Sequence, residues 1–111
     1  MKFEDRMDGA ALIVKPIESR IVADVAPQFK EGIVAYIAKG SHTIVLDLSE
    51  VTFIDSSGLG ALIGSLKAMG TSGELLLASV HDTVSTMFKL TRMDKIFRIF
   101  DTPEDAVASL A

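Results

Sequence analysis

Two periodicities of hydrophobic positions divide the chain into predicted strands and helices. Apolar runs or alternation over about four to eight residues are typical of strands, whereas apolar positions three and four apart predict helices. The predicted strands are Lys2–Met7, Ala10–Val14, Thr43–Leu48, Leu75–Ala78 and Lys95–Phe100. The predicted helices span Ala23–Lys39 and Ser57–Met69, a third begins at Asp82 or Thr83, and a fourth begins at Thr102. Strands and helices therefore alternate along most of the chain.

Turn and cap residues refine the ends of these elements. Met7-Asp8-Gly9 supplies turn chemistry, so the first two strands should form a hairpin. Pro16 has no backbone donor, which predicts an edge position or a bulge where the second strand ends. Asp24 is the expected cap of the first helix, and Thr102 with Pro103 forms a strong helix start.

The fold class follows from the central part of the chain. Thr43–Leu48, the helix after it and Leu75–Ala78 form a strand-helix-strand unit with short joints, which favours a right-handed parallel crossover. The sequence therefore predicts an α/β fold with a mixed central sheet of about four to five strands. About four helices should pack mainly on one face, and residues 1–111 should form a single domain.

Composition and charge narrow the possible partners. The net charge is -4 and the 11 lysines and arginines are scattered, so no basic stripe is offered to nucleic acid. The chain has no cysteine, and its charged start MKFEDRMDG has no apolar signal core. No apolar run approaches the roughly 18 residues of a membrane span. We expect a soluble cytoplasmic protein without direct nucleic-acid or membrane partners.

The sequence lacks the common motifs of nucleotide-binding and hydrolytic enzymes. Gly58 and Gly60 miss the dinucleotide-binding pattern by one position, and the chain contains neither a Walker loop nor a nucleophile elbow. His42 and His81 fall in turns and are expected to be solvated, while Asp47 and Glu50 are expected to form a polar strand end. We therefore expect no enzymatic activity, no catalytic residues, no cofactor and no metal site.

The junction Asp55-Ser56-Ser57-Gly58 remains as the chemically unusual part of the chain. Asp and Ser are preferred helix caps, which explains one of these residues but not two adjacent serines. The following helix has an expected core stripe of Leu59, Leu62, Ile63 and Leu66, and small residues (Gly60, Ala61, Gly64, Ser65 and Ala68) on its other faces. Each helix glycine costs about 1 kcal/mol against alanine. Such a cost indicates close approach by another surface, either the protein's own sheet or a partner.

The stretch LDLSEVTFIDSSGLGALIGSLKAMG resembles the signature of STAS domains, specifically the bacterial anti-sigma factor antagonists. Similarity extends to Val25-Ala26-Pro27 with Phe29 upstream. Downstream it extends to Val84–Leu90, Met93–Phe97 and Asp101–Ala106.

The resemblance implies a partner switch. Unphosphorylated, such a protein binds an anti-sigma factor that is also a serine kinase; phosphorylation by that kinase breaks the complex, and a PP2C-type phosphatase restores it. Ser56 matches the phosphorylated serine, with Ser57 as the alternative; Ser57 is then the expected helix cap, and Asp55 is expected to orient the acceptor hydroxyl. The expected partner-binding residues are Asp55, Ser57, Gly58, Leu59, Gly60, Gly64, Ser19 and Arg20.

One segment departs from the family pattern. Ser19 and Val22 stand in Ile17–Val22 where glycine and aspartate are usual, which leaves the identity of the partner kinase open. Two other functional classes also stay open: a STAS adaptor subunit of a transporter or of another signalling complex, without phosphorylation, and a small enzyme using a serine hydroxyl.

Overall fold

The sequence builds two sheets and four α-helices in the computed structural model, which describes residues 1–110. The strands are β1 (Phe3–Asp8), β2 (Ala11–Pro16), β3 (Arg20–Ile21), β4 (Thr43–Asp47), β5 (Phe53–Ile54), β6 (Glu74–Ala78) and β7 (Ile99–Phe100). The helices are α1 (Ala26–Ala38), α2 (Ser56–Met69), α3 (Asp82–Leu90) and α4 (Pro103–Ala108).

The main sheet has five strands in the order β1-β2-β4-β6-β7. β1 and β2 form the predicted antiparallel hairpin, in which Asp8 pairs with Ala11 and Gly9 takes a positive φ of 60° in the two-residue loop. β2, β4, β6 and β7 are mutually parallel. The predicted mixed sheet is therefore confirmed. Pro16 lies at the end of β2, beyond the residues that pair with β4.

Three helices cover one face of this sheet. The parallel strands advance in one direction across the sheet, so right-handed crossovers place α1, α2 and α3 on the same side. One core cluster joins Phe29 of α1, Leu62 of α2 and Phe88 of α3 to the sheet. Ala106 of α4 packs with Val45 in a second cluster. The prediction of helices mainly on one face is confirmed.

The start of α1 differs from the prediction. Val25, not Asp24, is the N-cap residue, and it makes no side-chain cap bond. Instead the Val22 carbonyl accepts from the amides of Val25 and Ala26 at 2.9 and 2.8 Å, so a backbone turn replaces the side-chain cap. Asp24 is left exposed.

The segment predicted as a last strand is mostly not a strand. Only Ile99–Phe100 pairs with β6, and Met93–Lys95 forms a 3-10 turn. This turn places Phe97 in the core, where its ring stacks on Phe88 with centroids 6.4 Å apart. Burial of one aromatic side chain thus outweighs the apolar alternation that favoured a longer strand.

A second sheet was not predicted. β3 and β5 pair in parallel, with Arg20 opposite Phe53 and Ile21 opposite Ile54. This two-residue ladder fastens the segment before α1 to the segment before α2. It therefore positions the loops around the start of α2.

Candidate functional site

Asp55 organises the start of α2. It is the N-cap residue, and its Oδ1 accepts from the Gly58 amide at 2.9 Å. Its Oδ2 accepts from the Ala23 amide at 3.2 Å, across 32 residues of sequence. The prediction that Ser57 caps the helix is therefore wrong, because the aspartate two residues earlier already does so and also holds the loop before α1.

Ser56 and Ser57 are the first two residues of α2, and both are exposed. Neither hydroxyl makes a hydrogen bond within residues 1–110, and both carboxylate oxygens of Asp55 accept from backbone amides instead. The expectation that Asp55 orients the Ser56 hydroxyl does not match this geometry. Ser56 is thus presented to solvent at the amino end of a capped helix.

The loop before α1 lies against the same junction. The Ser19 carbonyl accepts from the Thr52 amide at 2.8 Å and from the Thr52 hydroxyl at 3.1 Å. The Arg20 guanidinium lies over the Phe53 ring, 4.5 Å from its centroid. The structure therefore brings Ser19 and Arg20 close to Asp55, although they are 36 and 35 positions away in sequence.

The three glycines of α2 have different environments. A Cβ on Gly58 would collide with the Ile21 carbonyl and would lie 2.8 Å from Cγ2 of Ile54. A Cβ on Gly60 would meet nothing within 4 Å, and one on Gly64 would meet Cε of Lys30 at 3.0 Å. Gly58 is therefore required by the protein's own packing, whereas Gly60 leaves an open surface.

A groove of about 420 Å³ runs between α1 and the first turns of α2. Its lining residues are small or flexible: Ala23, Ala26, Pro27, Lys30, Ser57, Gly60 and Ala61. Of the predicted partner-binding residues, Ser57 and Gly60 therefore open onto one surface, whereas Leu59 is 7% exposed and belongs to the core.

Two small residues assigned to the open faces of α2 are buried. Ala61 and Ser65 are 9% and 0% exposed, and the Ser65 hydroxyl donates to the Ala61 carbonyl at 2.9 Å. Conversely, Ile63 and Leu66 of the expected core stripe are only partly buried. The buried stripe of α2 is thus rotated toward its small side chains, and Gly60 marks where the surface begins.

Among the ionisable side chains of residues 1–110, one phenol has a raised pKa. The pKa of Tyr36 is raised to about 12 by burial, by its hydrogen bond to Asp5 and by the charge of that carboxylate. His81 lies 2.6 Å from the Ser49 carbonyl rather than in a ligand cluster. In the described part of the chain no group of three or more His, Cys, Asp or Glu side chains could hold a metal ion.

Sequence reasoning missed three parts of this site: the Ala23 amide, Thr52 and Phe53. Phe53 stood in the apolar run before Asp55, and its 38% exposure in the structure distinguishes it from the buried Ile54 beside it. Ala23 contributes a backbone amide, which no residue type in the sequence indicates.

No helix within residues 1–110 has the length and apolar character that crossing a bilayer would require.

Comparison with known proteins gives a consistent family assignment. Residues 4–106 match the STAS domain family. The anti-sigma-B factor antagonist of Listeria monocytogenes is 32% identical over 84 residues, which covers 75% of this chain and 74% of that protein. The crystal structure of TM1081 from Thermotoga maritima has a TM-score of 0.87 at 30% identity and covers 96% of this chain and 92% of that one.

A more distant structure shares the fold in two chemical states. The anti-sigma factor antagonist SpoIIAA in its unphosphorylated form has a TM-score of 0.69 at 20% identity, with 97% of this chain and 96% of that one covered. The phosphorylated form of the Bacillus cell fate determinant SpoIIAA has a TM-score of 0.71 at 19% identity, with 99% and 100% covered. At this identity the likeness concerns the fold alone.

Proposed function

Because the chain belongs to the STAS-domain family of anti-sigma factor antagonists, we propose that it operates a partner switch controlled by phosphorylation of Ser56. Unphosphorylated, it binds an anti-sigma factor that is also a serine kinase, so that a sigma factor is freed. Phosphorylation by that kinase breaks the complex, and a PP2C-type phosphatase restores it. The chain acts as the substrate of the kinase and carries out no catalysis itself.

The exposed position of Ser56 carries this proposal. Its hydroxyl stands at the first residue of α2, free of intramolecular hydrogen bonds within residues 1–110, so a kinase can reach it without local unfolding. Asp55 caps the helix from the preceding position and keeps that geometry fixed. Ser57 is also exposed but lines the groove beside Lys30, so it is the alternative acceptor.

Phosphorylation changes the surface more than the fold. A phosphoserine adds about -1.5 to -2 charges, and at a helix N-terminus this is favourable by roughly 0.3 to 1 kcal/mol. A partner docked over bare Ser56 would instead have to bury an unpaired dianion next to Asp55. A penalty of about 3 kcal/mol weakens binding more than a hundredfold. The unphosphorylated and the phosphorylated forms of SpoIIAA each resemble the fold of this chain, with TM-scores of 0.69 and 0.71, which supports a surface switch.

The partner surface combines the junction with the groove. We assign contact with the kinase to Ser57, Gly60 and the exposed loop residues Ser19 and Arg20, while Asp55, Gly58 and Leu59 hold the surface in shape. Gly64 lies next along α2, beneath the Lys30 side chain. We further propose that residues 1–111 form one STAS domain and act in the cytoplasm, where sigma factors work.

The test is site-specific labelling with a GHKL-type serine kinase, identified from the neighbouring genes or by pull-down. Intact-mass measurement after incubation with ATP should show one added phosphate on the wild type and on Ser57→Ala. It should show none on Ser56→Ala. The two variants are matched because neither serine caps α2. Labelling that persists in Ser56→Ala would assign the acceptor to another residue, and no labelling of any form would favour an adaptor role without phosphorylation.

A further inference from the structure

A second exposed surface lies at the carboxyl end of α3, away from Ser56. Three large apolar side chains are exposed there: Leu90 (80%), Ile96 (51%) and Ile99 (37%). They come from the end of α3, the turn after it and β7. We call the segment Lys89–Ile99 the α3–β7 patch.

Four basic residues are interleaved in sequence with these apolar side chains. Lys89, Arg92, Lys95 and Arg98 lie within ten residues that contain one carboxylate, Asp94, which gives this stretch a net charge of +3. The chain as a whole carries -4, so the rest of it carries -7. Only Arg98 of the four is in an ion pair within residues 1–110, with Glu74 at 3.5 Å. Exposed apolar side chains interleaved with basic ones suit a protein interface for an acidic partner.

The backbone of Arg92 gives an independent reason to assign a role to the patch. Arg92 follows the helix cap Thr91 and adopts the left-handed conformation, with φ 61° and ψ 20°. Glycine ordinarily fills this position after a helix, because a side chain there is strained. An arginine at such a site places a guanidinium on the patch at a cost to folding.

We propose that the α3–β7 patch binds an acidic protein segment that carries at least one large apolar side chain. A membrane is the weaker occupant, because membrane-surface helices insert a continuous apolar face. The apolar face of α3 is already buried, with Val84 and Phe88 at 1% and 0% exposure. The exposed apolar residues instead come from three separate elements, which suits a short segment of chain.

The position of the patch makes its occupancy independent of the Ser56 switch. The Thr83 hydroxyl at the start of α3 donates to the Thr52 carbonyl, beside the Asp55 junction, at 2.8 Å. Lys89, where the patch begins, lies six helical residues and about 9 Å along α3 from Thr83, and the rest of the patch follows it in the chain. A partner at Ser56 and an acidic segment on the patch can therefore bind at the same time, and this proposal does not rest on the proposed phosphorylation.

The test is fluorescence anisotropy with a labelled peptide of about twelve residues, built from glutamates with two leucines. The wild type should bind it saturably, and a peptide with lysine in place of glutamate should not bind. Arg92→Glu with Lys95→Glu should weaken binding at least about tenfold. Lys2→Glu with Lys39→Glu is the control, because it changes net charge equally and should leave the affinity unchanged. Ser56→Asp should also leave it unchanged.

Arg92→Gly keeps the test informative if the double reversal disturbs folding. It should raise the melting temperature, because glycine suits the left-handed backbone, and should still weaken peptide binding several-fold. The proposal is overturned by equal affinity in patch and control variants, or by absence of saturable binding to the wild type. It is also overturned if vesicles with about a quarter phosphatidylglycerol bind the protein while the peptide does not.

Discussion

Replacing Gly58 by alanine should destabilise the protein, whereas the same replacement at Gly60 should stabilise it. Both glycines lie in the first turns of α2 and differ only in what surrounds them. A methyl group on Gly58 would enter the space of the Ile21 carbonyl and would lie 2.8 Å from Cγ2 of Ile54. A methyl group on Gly60 would meet nothing within 4 Å. The pair therefore separates packing from helix propensity.

The magnitudes follow from two opposing effects. Overpacking costs about 1–3 kcal/mol, and because the collision at Gly58 is with a backbone carbonyl, the upper part of that range, about 2–3 kcal/mol, applies. Alanine returns up to about 1 kcal/mol of helix propensity, so Gly58→Ala should lose about 1–2 kcal/mol. The Ile21 carbonyl cannot simply move aside, because it also accepts from the Asp55 amide at 3.3 Å. Gly60→Ala has no collision to offset and should gain about 0.4–1 kcal/mol. Gly64→Ala should fall between them, since the contacting end of Lys30 is flexible.

Urea unfolding followed by circular dichroism measures these differences. With a slope of about 2 kcal/mol per molar urea, Gly58→Ala should lower the midpoint by about 0.5–1 M, and Gly60→Ala should raise it by up to about 0.5 M. The slopes should match the wild type. A Gly58→Ala variant as stable as the wild type would refute the close approach of β3 to α2. A destabilised Gly60→Ala variant would refute the open surface.

Two further predictions concern single side chains. Asp55→Ala should lower the free energy of unfolding by about 1–3 kcal/mol, because it removes both the α2 cap and the hydrogen bond to the Ala23 amide. Asp55→Asn should lose less, since its one amide oxygen can still accept from the Gly58 amide. Equal losses of the two variants in urea unfolding would argue against the cap. Tyr36 is the chain's one tyrosine and there is no tryptophan, so phenolate absorbance reports it alone. The midpoint of the Tyr36 titration should lie near pH 12 and should fall toward pH 10 in Asp5→Asn. Because the raised pKa favours the neutral phenol in the folded state, the contribution of Tyr36 to the free energy of unfolding should be present below about pH 10 and be lost between pH 10 and 12. A wild-type midpoint at pH 10 would contradict this.

Local signals predicted the elements, and non-local contacts decided the details. Thr102 was correctly predicted as a cap and accepts from the Asp105 amide at 3.0 Å, because a cap depends on residues three positions apart. The prediction that Asp24 caps α1 was wrong, because the Val22 carbonyl accepts from the backbone amides of Val25 and Ala26 at the start of α1. The β3–β5 ladder could not be predicted, since two-residue strands carry no periodicity and pair across 33 positions.

The candidate site shows the same division. The junction at Asp55–Gly58 was evident from its residue types, but the three glycines of α2 looked alike in sequence. Their separate roles depend on Ile21 and Lys30, which reach α2 only in the folded chain. The choice of Asp55 over Ser57 as cap likewise depends on the Ala23 amide, which the β3–β5 ladder brings close.

Whether Ser56 phosphorylation releases a partner without unfolding the protein can be decided by one paired measurement. The affinity of the anti-sigma factor kinase is determined by calorimetry for the unphosphorylated and the Ser56-phosphorylated protein, with circular dichroism on the same samples. We expect phosphorylation to weaken binding more than about a hundredfold and to leave the spectrum unchanged. Equal affinities, or weakened binding accompanied by loss of the helical spectrum, would contradict it.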